Sequence, residues 1–356
     1  MVYAVVLCGG RGERFWPKSR RASPKQFIAL FGKRTLVQAT SDRIRTLCPL
    51  SRQLFVAPAE FGPLLSRQLK LGSRNLVFEP AGRNTAPAIA LAALRLRRAD
   101  PEAVMVVLPA DHEIADRREF VRDIRMAVDL ARQGLLVTFG IPPSRPDTGY
   151  GYVQLGNRLM AQGDLAAHRV LGFREKPDPR TAAEYVAAGN YVWNSGMFVW
   201  RADVFLRAVQ QHMPEFHAAL ERFGRTIGTK REVAALKRLY AGAPSISVDY
   251  AILEKAQNIA AVRATFDWDD LGSWLALERH RPPDGHRNTV VGRFVGRDVE
   301  NCIIDGDAGL VAALGVRDLV IVRSGDAVLV AHRDALDGIK ELLAAIGEAP
   351  GLKGSR

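Results

Sequence analysis

The sequence predicts an α/β fold: a mostly parallel sheet with helices on both faces, followed by a small β domain. Three observations carry this. From Met1 to Phe139, apolar runs of strand length alternate with helix-length stretches, and that β-α-β order builds a parallel sheet. The first run, Val2–Leu7, is continuously apolar, as a strand buried on both faces must be. Beyond His280 the chain turns to short valine- and isoleucine-rich runs broken by glycines, the pattern of tight-turned strands.

In order, residues 2–7 form a strand, 35–47 a helix, and 54–57 and 76–78 strands. Thr85 is placed to cap a helix running to Arg98. Residues 104–108 form a strand, 118–132 a helix and 135–139 a strand. Residues 148–153 read as an inserted strand pair, and 170–173 and 196–200 as further strands. Residues 202–211 and 230–239 are helical. The breaker cluster His280-Arg-Pro-Pro-Asp-Gly285 marks a boundary. The expected division is 1–280 for the larger domain, 286–345 for the β domain with its closing helix, and 346–356 for a tail. Open α/β sheets bind ligands at the carboxyl ends of their strands, which singles out the loops after Leu7 and Leu108.

A chain of 356 residues, 47% of them hydrophobic, can bury a sizeable core and is not a disordered protein. No apolar run approaches the roughly 20 residues of a membrane helix, so no membrane partner is expected. The N-terminus has no basic region before its apolar run and reads as a strand, not a signal peptide. Cys8, Cys48 and Cys302 lie far apart, which argues against a disulfide framework or zinc ribbon and favours a cytoplasmic location.

The formal net charge of +12 points to an anionic partner, and its distribution narrows the choice. Arg11, Arg14, Lys18, Arg20, Arg21, Lys25, Lys33 and Arg34 face one acid, Glu13, in the same stretch. A nucleic-acid surface would interleave cations with aromatics on one face. Here they gather in a glycine loop, so small phosphorylated molecules are expected and nucleic acid is not.

That loop, Gly9-Gly-Arg-Gly-Glu-Arg14-Phe-Trp-Pro-Lys-Ser-Arg20 with Pro24-Lys-Gln-Phe27, follows the first strand directly. Its glycines let backbone N–H groups approach phosphate closely, and Arg14 and Lys25 can offset charge during phosphoryl chemistry. It is not a dinucleotide fingerprint, because Phe15 stands where glycine or alanine is needed. Nor is Gly32-Lys33 the end of a P-loop, since Phe27 and Arg34 occupy required glycine and hydroxyl positions. Phe78-Glu-Pro-Ala-Gly-Arg-Asn-Thr-Ala-Pro87 joins a strand end to a helix start, where N–H groups can read a base or an anion. Asp111, in Leu108-Pro-Ala-Asp-His112, stands at a strand's carboxyl end, where a carboxylate can hold Mg²⁺ against phosphate. His112 reads as structural. In Phe266-Asp-Trp-Asp-Asp-Leu-Gly-Ser-Trp274, three carboxylates crowd within four residues and need a cation or partner to offset them.

The glycine loop and the Pro-Lys-Gln-Phe that follows resemble the signature of the sugar-1-phosphate nucleotidylyltransferases, most closely the branch that transfers GMP to mannose 1-phosphate. The resemblance extends motif by motif from Val2 to about Trp274. It implies a Rossmann-like nucleotide-diphospho-sugar transferase fold and a C-terminal region like a short left-handed β-helix. It implies a reaction of GTP with mannose 1-phosphate giving GDP-mannose and pyrophosphate, with Mg²⁺ as cofactor. The catalytic residues would be Arg14 and Lys25. Leu7, Gly9, Gly10, Gly12, Arg14, Arg83, Asn84 and Thr85 would bind nucleotide. Asp111 and Asp270 would hold the metal, leaving Asp267 and Asp269 to face solvent or cap a turn. Gly149, Glu175, Lys176, Asn194 and Asp249 would bind the sugar phosphate, Glu175 by accepting from hydroxyls and Lys176 by meeting the phosphate.

The resemblance also makes a homodimer the expected assembly. Longer relatives carry a cupin-type phosphomannose isomerase domain; with the chain ending at Arg356, isomerase activity is not expected. Cys8 departs from the alanine usual before the two glycines and reads as packing. The residues alone leave open another base or sugar, such as glucose 1-phosphate, and a non-catalytic nucleotide-sugar binding protein.

Overall fold

The computed structural model describes residues 1–349, apart from the side chain of Ala308. The chain gathers into two compact units. One comprises residues 1–9, 40–110 and 114–268; the other comprises 10–39, 111–113 and the chain from 269 on. Sequence order does not give this grouping, since a cut between residues 280 and 286 leaves the glycine loop with the first strand.

The first unit is built on one mixed sheet. Its strands are β1 (Val2–Leu7), β2 (Gln53–Pro58), β3 (Leu76–Glu79), β4 (Val104–Pro109), β5 (Leu136–Ile141), β6 (Tyr152–Gln162), β7 (Leu165–Arg174), β8 (Tyr191–Arg201) and β9 (Ile259–Arg263). They lie in the order β3-β2-β1-β4-β8-β5-β9-β7-β6. β1 pairs in parallel with β2 and β4, and β5 with β9. β8 runs antiparallel between β4 and β5. Its inward alternation explains how a reversed strand sits mid-sheet: Phe198 and Trp200 face one core and Met197 and Val199 the other, so both faces are covered. Of the strand pair expected over residues 148–153, only Tyr152 and Val153 are strand, where they open the long β6–β7 hairpin; residues 148–151 are a loop leading into it. Gly149 and Gly151 are hemmed in by Asp147 and Glu175 and do not extend a strand.

The helices are α1 (Leu36–Ile44), α2 (Gly62–Leu69), α3 (Thr85–Ala99), α4 (Arg117–Arg132), α5 (Pro179–Ala188), α6 (Ala202–His212), α7 (Pro214–Gly224), α8 (Glu232–Ala241), α9 (Ala276–His280) and α10 (Ile339–Glu348). α3, α6, α7 and α8 cover one face of the sheet and α4 the other. The cap of α3 is Asn84, not Thr85: the Asn84 side chain accepts from the Thr85 N–H with its backbone at φ 62°. Asparagine tolerates that left-handed value and caps well. The hydroxyl of Thr85 accepts from the Val248 N–H instead.

In the second unit, β10 (Thr289–Glu300), β11 (Ile303–Arg317) and β12 (Leu319–Ser324) pair in parallel, and β13 (Ala327–His332) returns antiparallel. Parallel neighbours usually need a long crossover. Here Thr289 pairs with Ile303 and Ile303 with Val320, so successive strands stack as the coils of a β-helix-like domain. Its core joins Ile303, Val320, Val322 and Leu329 to Phe15, Trp16, Leu336, Ile339 and Leu343. The closing helix runs to Glu348, three residues past its expected end at 345. Residues 350–356 of the expected tail lie outside the described residues.

Candidate active site

The glycine loop is shaped by one steric requirement. Gly12 has φ 64°, and a Cβ built on it would stand 2.1 Å from the Lys25 Cβ. Only glycine combines that backbone angle with so close an approach. The loop folds over a short helical turn, Glu13–Phe15, and a second, Lys25–Phe27, brings Lys25 under it. The Gln26 side chain donates to the Gly10 carbonyl and the Ser19 hydroxyl to that of Gly12.

Lys25 is buried. Its Nζ donates to Asp111 Oδ2 at 3.0 Å and to the Asp270 carbonyl at 2.7 Å, and it lies 5.5 Å from the Phe15 ring centroid. The Asp111 side chain keeps 33% of its surface exposed. Burial raises the Asp111 pKa, but the Lys25 charge, His112 and hydrogen bonding outweigh it, so the carboxyl is held below its ordinary value. Arg14 reaches the Gly272 carbonyl at 3.4 Å. These groups line one cavity of about 330 Å³, with Arg11, Gly12, Arg14, Lys25, Asp111 and Asp270 on its wall. His112, read as structural from sequence, lines it too.

Asp269 answers the crowding of the three aspartates. It is buried against Arg279, which donates to both carboxylate oxygens, and His280 lies 3.0 Å away. Burial raises its pKa, and these two partners drive it well below the usual carboxylate range. It also accepts from the Leu271 N–H, so it caps the turn and does not face solvent. Asp267 accepts from the Ala115 and Asp116 N–H groups.

Not all the early cations serve the cavity. Lys18 pairs with buried Asp305 at 2.5 Å. Arg20 pairs with Asp326 at 2.6 Å and donates to the carbonyls of Pro17 and Ser324. The Trp274 indole donates to the Trp16 carbonyl. The glycine loop is thereby pinned to the β-helix-like domain within its own unit.

A second constellation lies in the first unit. Asn194 Nδ2 donates to Asp249 Oδ1 at 2.8 Å, and the Thr138 hydroxyl donates to Asn194 Oδ1. Asp249 opens a π-helical turn, Asp249–Leu253. The Glu175 Oε2 is buried without a hydrogen-bond partner, and a Cβ on Gly151 would lie 2.3 Å from it. Burial, then the charge of Asp249, pushes Glu175 up to about 7, while Lys176 pulls the other way. Burial likewise raises Asp249. A buried carboxylate with an open acceptor beside a glycine backbone suits a polyhydroxyl ligand. Gly149 donates to Asp147 on the preceding loop.

The nucleotide contacts expected over residues 83–85 are partly spent on structure. Arg83 donates to the carbonyls of Tyr240 and Ala241, and the side chains of Asn84 and Thr85 are engaged as described above. Sequence reasoning passed over their neighbour Glu79. It is buried, accepts from the Tyr240 hydroxyl at 3.2 Å, and has its other oxygen 3.9 Å from where a Gly9 Cβ would stand. Burial pushes it up to about 7 against that hydrogen bond. The Phe78-Glu-Pro run held a signal: an acid closing a buried strand.

The cavity also has the donors for a divalent metal. Mg²⁺ binds through one or two carboxylates plus substrate phosphates, which Asp111 and Asp270 match. No cluster of three or more potential protein ligands exists among the described residues, so an all-protein cage is not the arrangement offered.

Comparison with known proteins gives the family. Residues 3–283 match the family model Nucleotidyl transferase, and residues 292–346 match the MannoseP isomerase/GMP-like beta-helix domain. The chain is 41% identical to a mannose-1-phosphate guanylyltransferase of Escherichia coli, over 96% of this chain and 73% of the relative. It is 38% identical to alginate biosynthesis protein AlgA of Pseudomonas syringae, over 97% of this chain and 71% of the relative. A solved structure described as mannose-1-phosphate geranyltransferase from Thermus thermophilus superposes with a TM-score of 0.87 at 37% identity, covering 97% of this chain and 99% of its own.

Proposed function

The chain belongs to the nucleotidyl transferase family, and we propose that it is an enzyme transferring GMP from GTP to mannose 1-phosphate, releasing pyrophosphate. The observation that carries this reading is the buried Lys25, paired with Asp111 in the cavity that Asp270 and Arg14 also line. The relatives' names supply the substrates.

In this reading a phosphate oxygen of mannose 1-phosphate attacks the α-phosphorus of GTP in line. A bond forms from that oxygen to phosphorus as the bond to the β-phosphate oxygen breaks, and the electron pair leaves with pyrophosphate. No general base is needed, because the attacking phosphate is already anionic. Catalysis is then positioning and electrostatics. Lys25, fixed by two hydrogen bonds, faces the charge on the transferring phosphate, and Arg14 adds a second cation. The Gly10–Gly12 backbone admits phosphate oxygens closely. Asp111 and Asp270 would hold Mg²⁺, which when bound would supply positive charge to offset the negative charge of the phosphates.

Glu175 accepts from sugar hydroxyls with its open oxygen, Asp249 and Asn194 complete that set, and Lys176 meets the sugar phosphate. Glu79 reads the base. Guanine offers two adjacent donors, N1–H and the N2 amino group, and a carboxylate is a pure acceptor that suits both. Adenine places an acceptor at N1 and is disfavoured. Leu7, Gly9, Arg83, Asn84 and Thr85 border the nucleotide through backbone and position.

Val295, Leu310, Leu314, Val328 and Val330 of the β-helix-like domain are exposed apolar side chains that suit a second copy of the chain, so a homodimer is the proposed assembly. Three buried free cysteines favour a reducing cytoplasm. Among the described residues no helix is long and apolar enough to cross a membrane. Nucleic acid is not a proposed partner. The test is pyrophosphate release from GTP that depends on mannose 1-phosphate.

A further inference from the structure

We propose that Lys340, in the first turn of α10, is a substrate-binding residue that holds the β- and γ-phosphates of GTP and the pyrophosphate they become. This rests on the reading that the cavity receives a triphosphate.

Lys340 lines the same cavity as Arg14, Lys25, Asp111 and Asp270, although it comes from the end of the C-terminal β-helix-like domain. An exposed lysine on a terminal helix is ordinarily just solvated. Three observations separate this one. First, its backbone is held in place. The preceding Ile339 and the later Leu343 are buried with Phe15 and Trp16 of the glycine loop, and the loop is tied to the same domain by Lys18–Asp305 and Arg20–Asp326. Little backbone freedom remains to be lost when the ammonium engages a ligand.

Second, the ammonium is uncommitted. Lys25 is bound to Asp111 and the Asp270 carbonyl, and Arg14 to the Gly272 carbonyl. Lys340 donates to no acceptor among the described residues. Third, charge balance favours it. Glu13, Asp111 and Asp270 put three carboxylates on the wall against Arg11, Arg14, Lys25 and Lys340. Without Lys340 the side chains of the wall sum to zero and leave the proposed metal ion as the sole counter-charge to a polyanion. With it, the wall carries a net positive charge.

Position then assigns the phosphates. Lys25 is buried and Lys340 exposed, so the reacting α-phosphate sits inside by Lys25. The departing group lies at the mouth by Lys340. This makes the C-terminal domain part of the site, not merely an appendage.

The reaction run backwards, from GDP-mannose and pyrophosphate, isolates the contact. Lys340→Ala should raise the KM for pyrophosphate about tenfold, the equivalent of ~1.4 kcal/mol, with the KM for GDP-mannose unchanged within twofold. Lys340→Arg should restore most of the loss. A merely structural lysine would move both KM values together, lower the melting temperature and gain nothing from arginine. Unchanged pyrophosphate KM, or equal shifts for both substrates, overturns the proposal. Titration calorimetry of magnesium pyrophosphate into wild type and Lys340→Ala separates this from a failure of the functional reading. If wild type makes no GDP-mannose but binds pyrophosphate tenfold tighter than the variant, Lys340 stands and the substrate assignment falls. Equal binding by the two proteins overturns the role of Lys340 regardless of activity.

Discussion

Lys25 Nζ sits 3.0 Å from Asp111 Oδ2, so the cation proposed to stabilise the transferring phosphate also holds a carboxylate proposed to bind metal. The pairing leaves Asp111 partly exposed to the cavity. One contact thus orders both charges before substrate arrives, as electrostatic preorganisation requires. Lys25→Ala and Asp111→Ala should each lower kcat at least about a hundredfold, the effect of one strong electrostatic group. Steady-state kinetics on variants with native circular dichroism checks this, and a near wild-type rate would remove the assigned roles.

Gly12→Ala should be nearly as damaging without removing any functional group. The new methyl meets the Lys25 Cβ, and the residue must hold φ 64°. The loop would have to shift and carry Lys25 with it. The expected result is at least a tenfold loss of kcat/KM for GTP, with a left-handed backbone penalty of about 1 kcal/mol in stability. Kinetics and urea unfolding together read both effects.

The Lys18–Asp305 pair is buried on the aspartate side. Removing one partner strands the other, which costs about 3–5 kcal/mol. Asp305→Ala should therefore lower the denaturation midpoint strongly and raise the KM for GTP by loosening the loop. Replacing both residues with leucine should recover most of the stability, since a buried pair is often matched by apolar packing. A single variant as stable as wild type would show that the pair does not anchor the loop.

Glu79 gives a pH dependence with a definite sign. Burial raises its pKa from 4.5 to about 7, so the folded state binds its proton more tightly than the unfolded state does. Its contribution to stability is complete below pH 4.5 and is lost as pH rises towards 7, then flat above. Relative to wild type, Glu79→Gln should become progressively more stable across that window, measured as the difference in melting temperature. The same change should cut the preference for GTP over other nucleoside triphosphates about tenfold, because an amide cannot accept from both guanine donors. No change in either quantity would remove Glu79 from base recognition.

Local signals made much of the molecule readable in advance. β1 occupies the expected residues 2–7, because an uninterrupted apolar run fits only a strand covered on both faces. The glycine loop and Asp111 announced themselves by residue type and by position at strand ends. The reversal of β8 was hidden, because a strand buried on both sides has the same composition in either direction. The cluster of early cations overstated the phosphate site. Lys18 and Arg20 are paired with Asp305 and Asp326, partners nearly the whole chain away that no local pattern identifies. Lys340 gave no local signal either, because the residues with which it lines the cavity lie far from it in the sequence. Asp269 was underestimated because its partners, Arg279 and His280, lie in the following helix.

The most direct measurement is pyrophosphate release from each of the four nucleoside triphosphates, crossed with mannose 1-phosphate, glucose 1-phosphate and fructose phosphates, with and without Mg²⁺. The expected result is turnover with GTP and mannose 1-phosphate that requires the metal. Turnover with UTP or dTTP but not GTP, or none with any sugar phosphate, would contradict it.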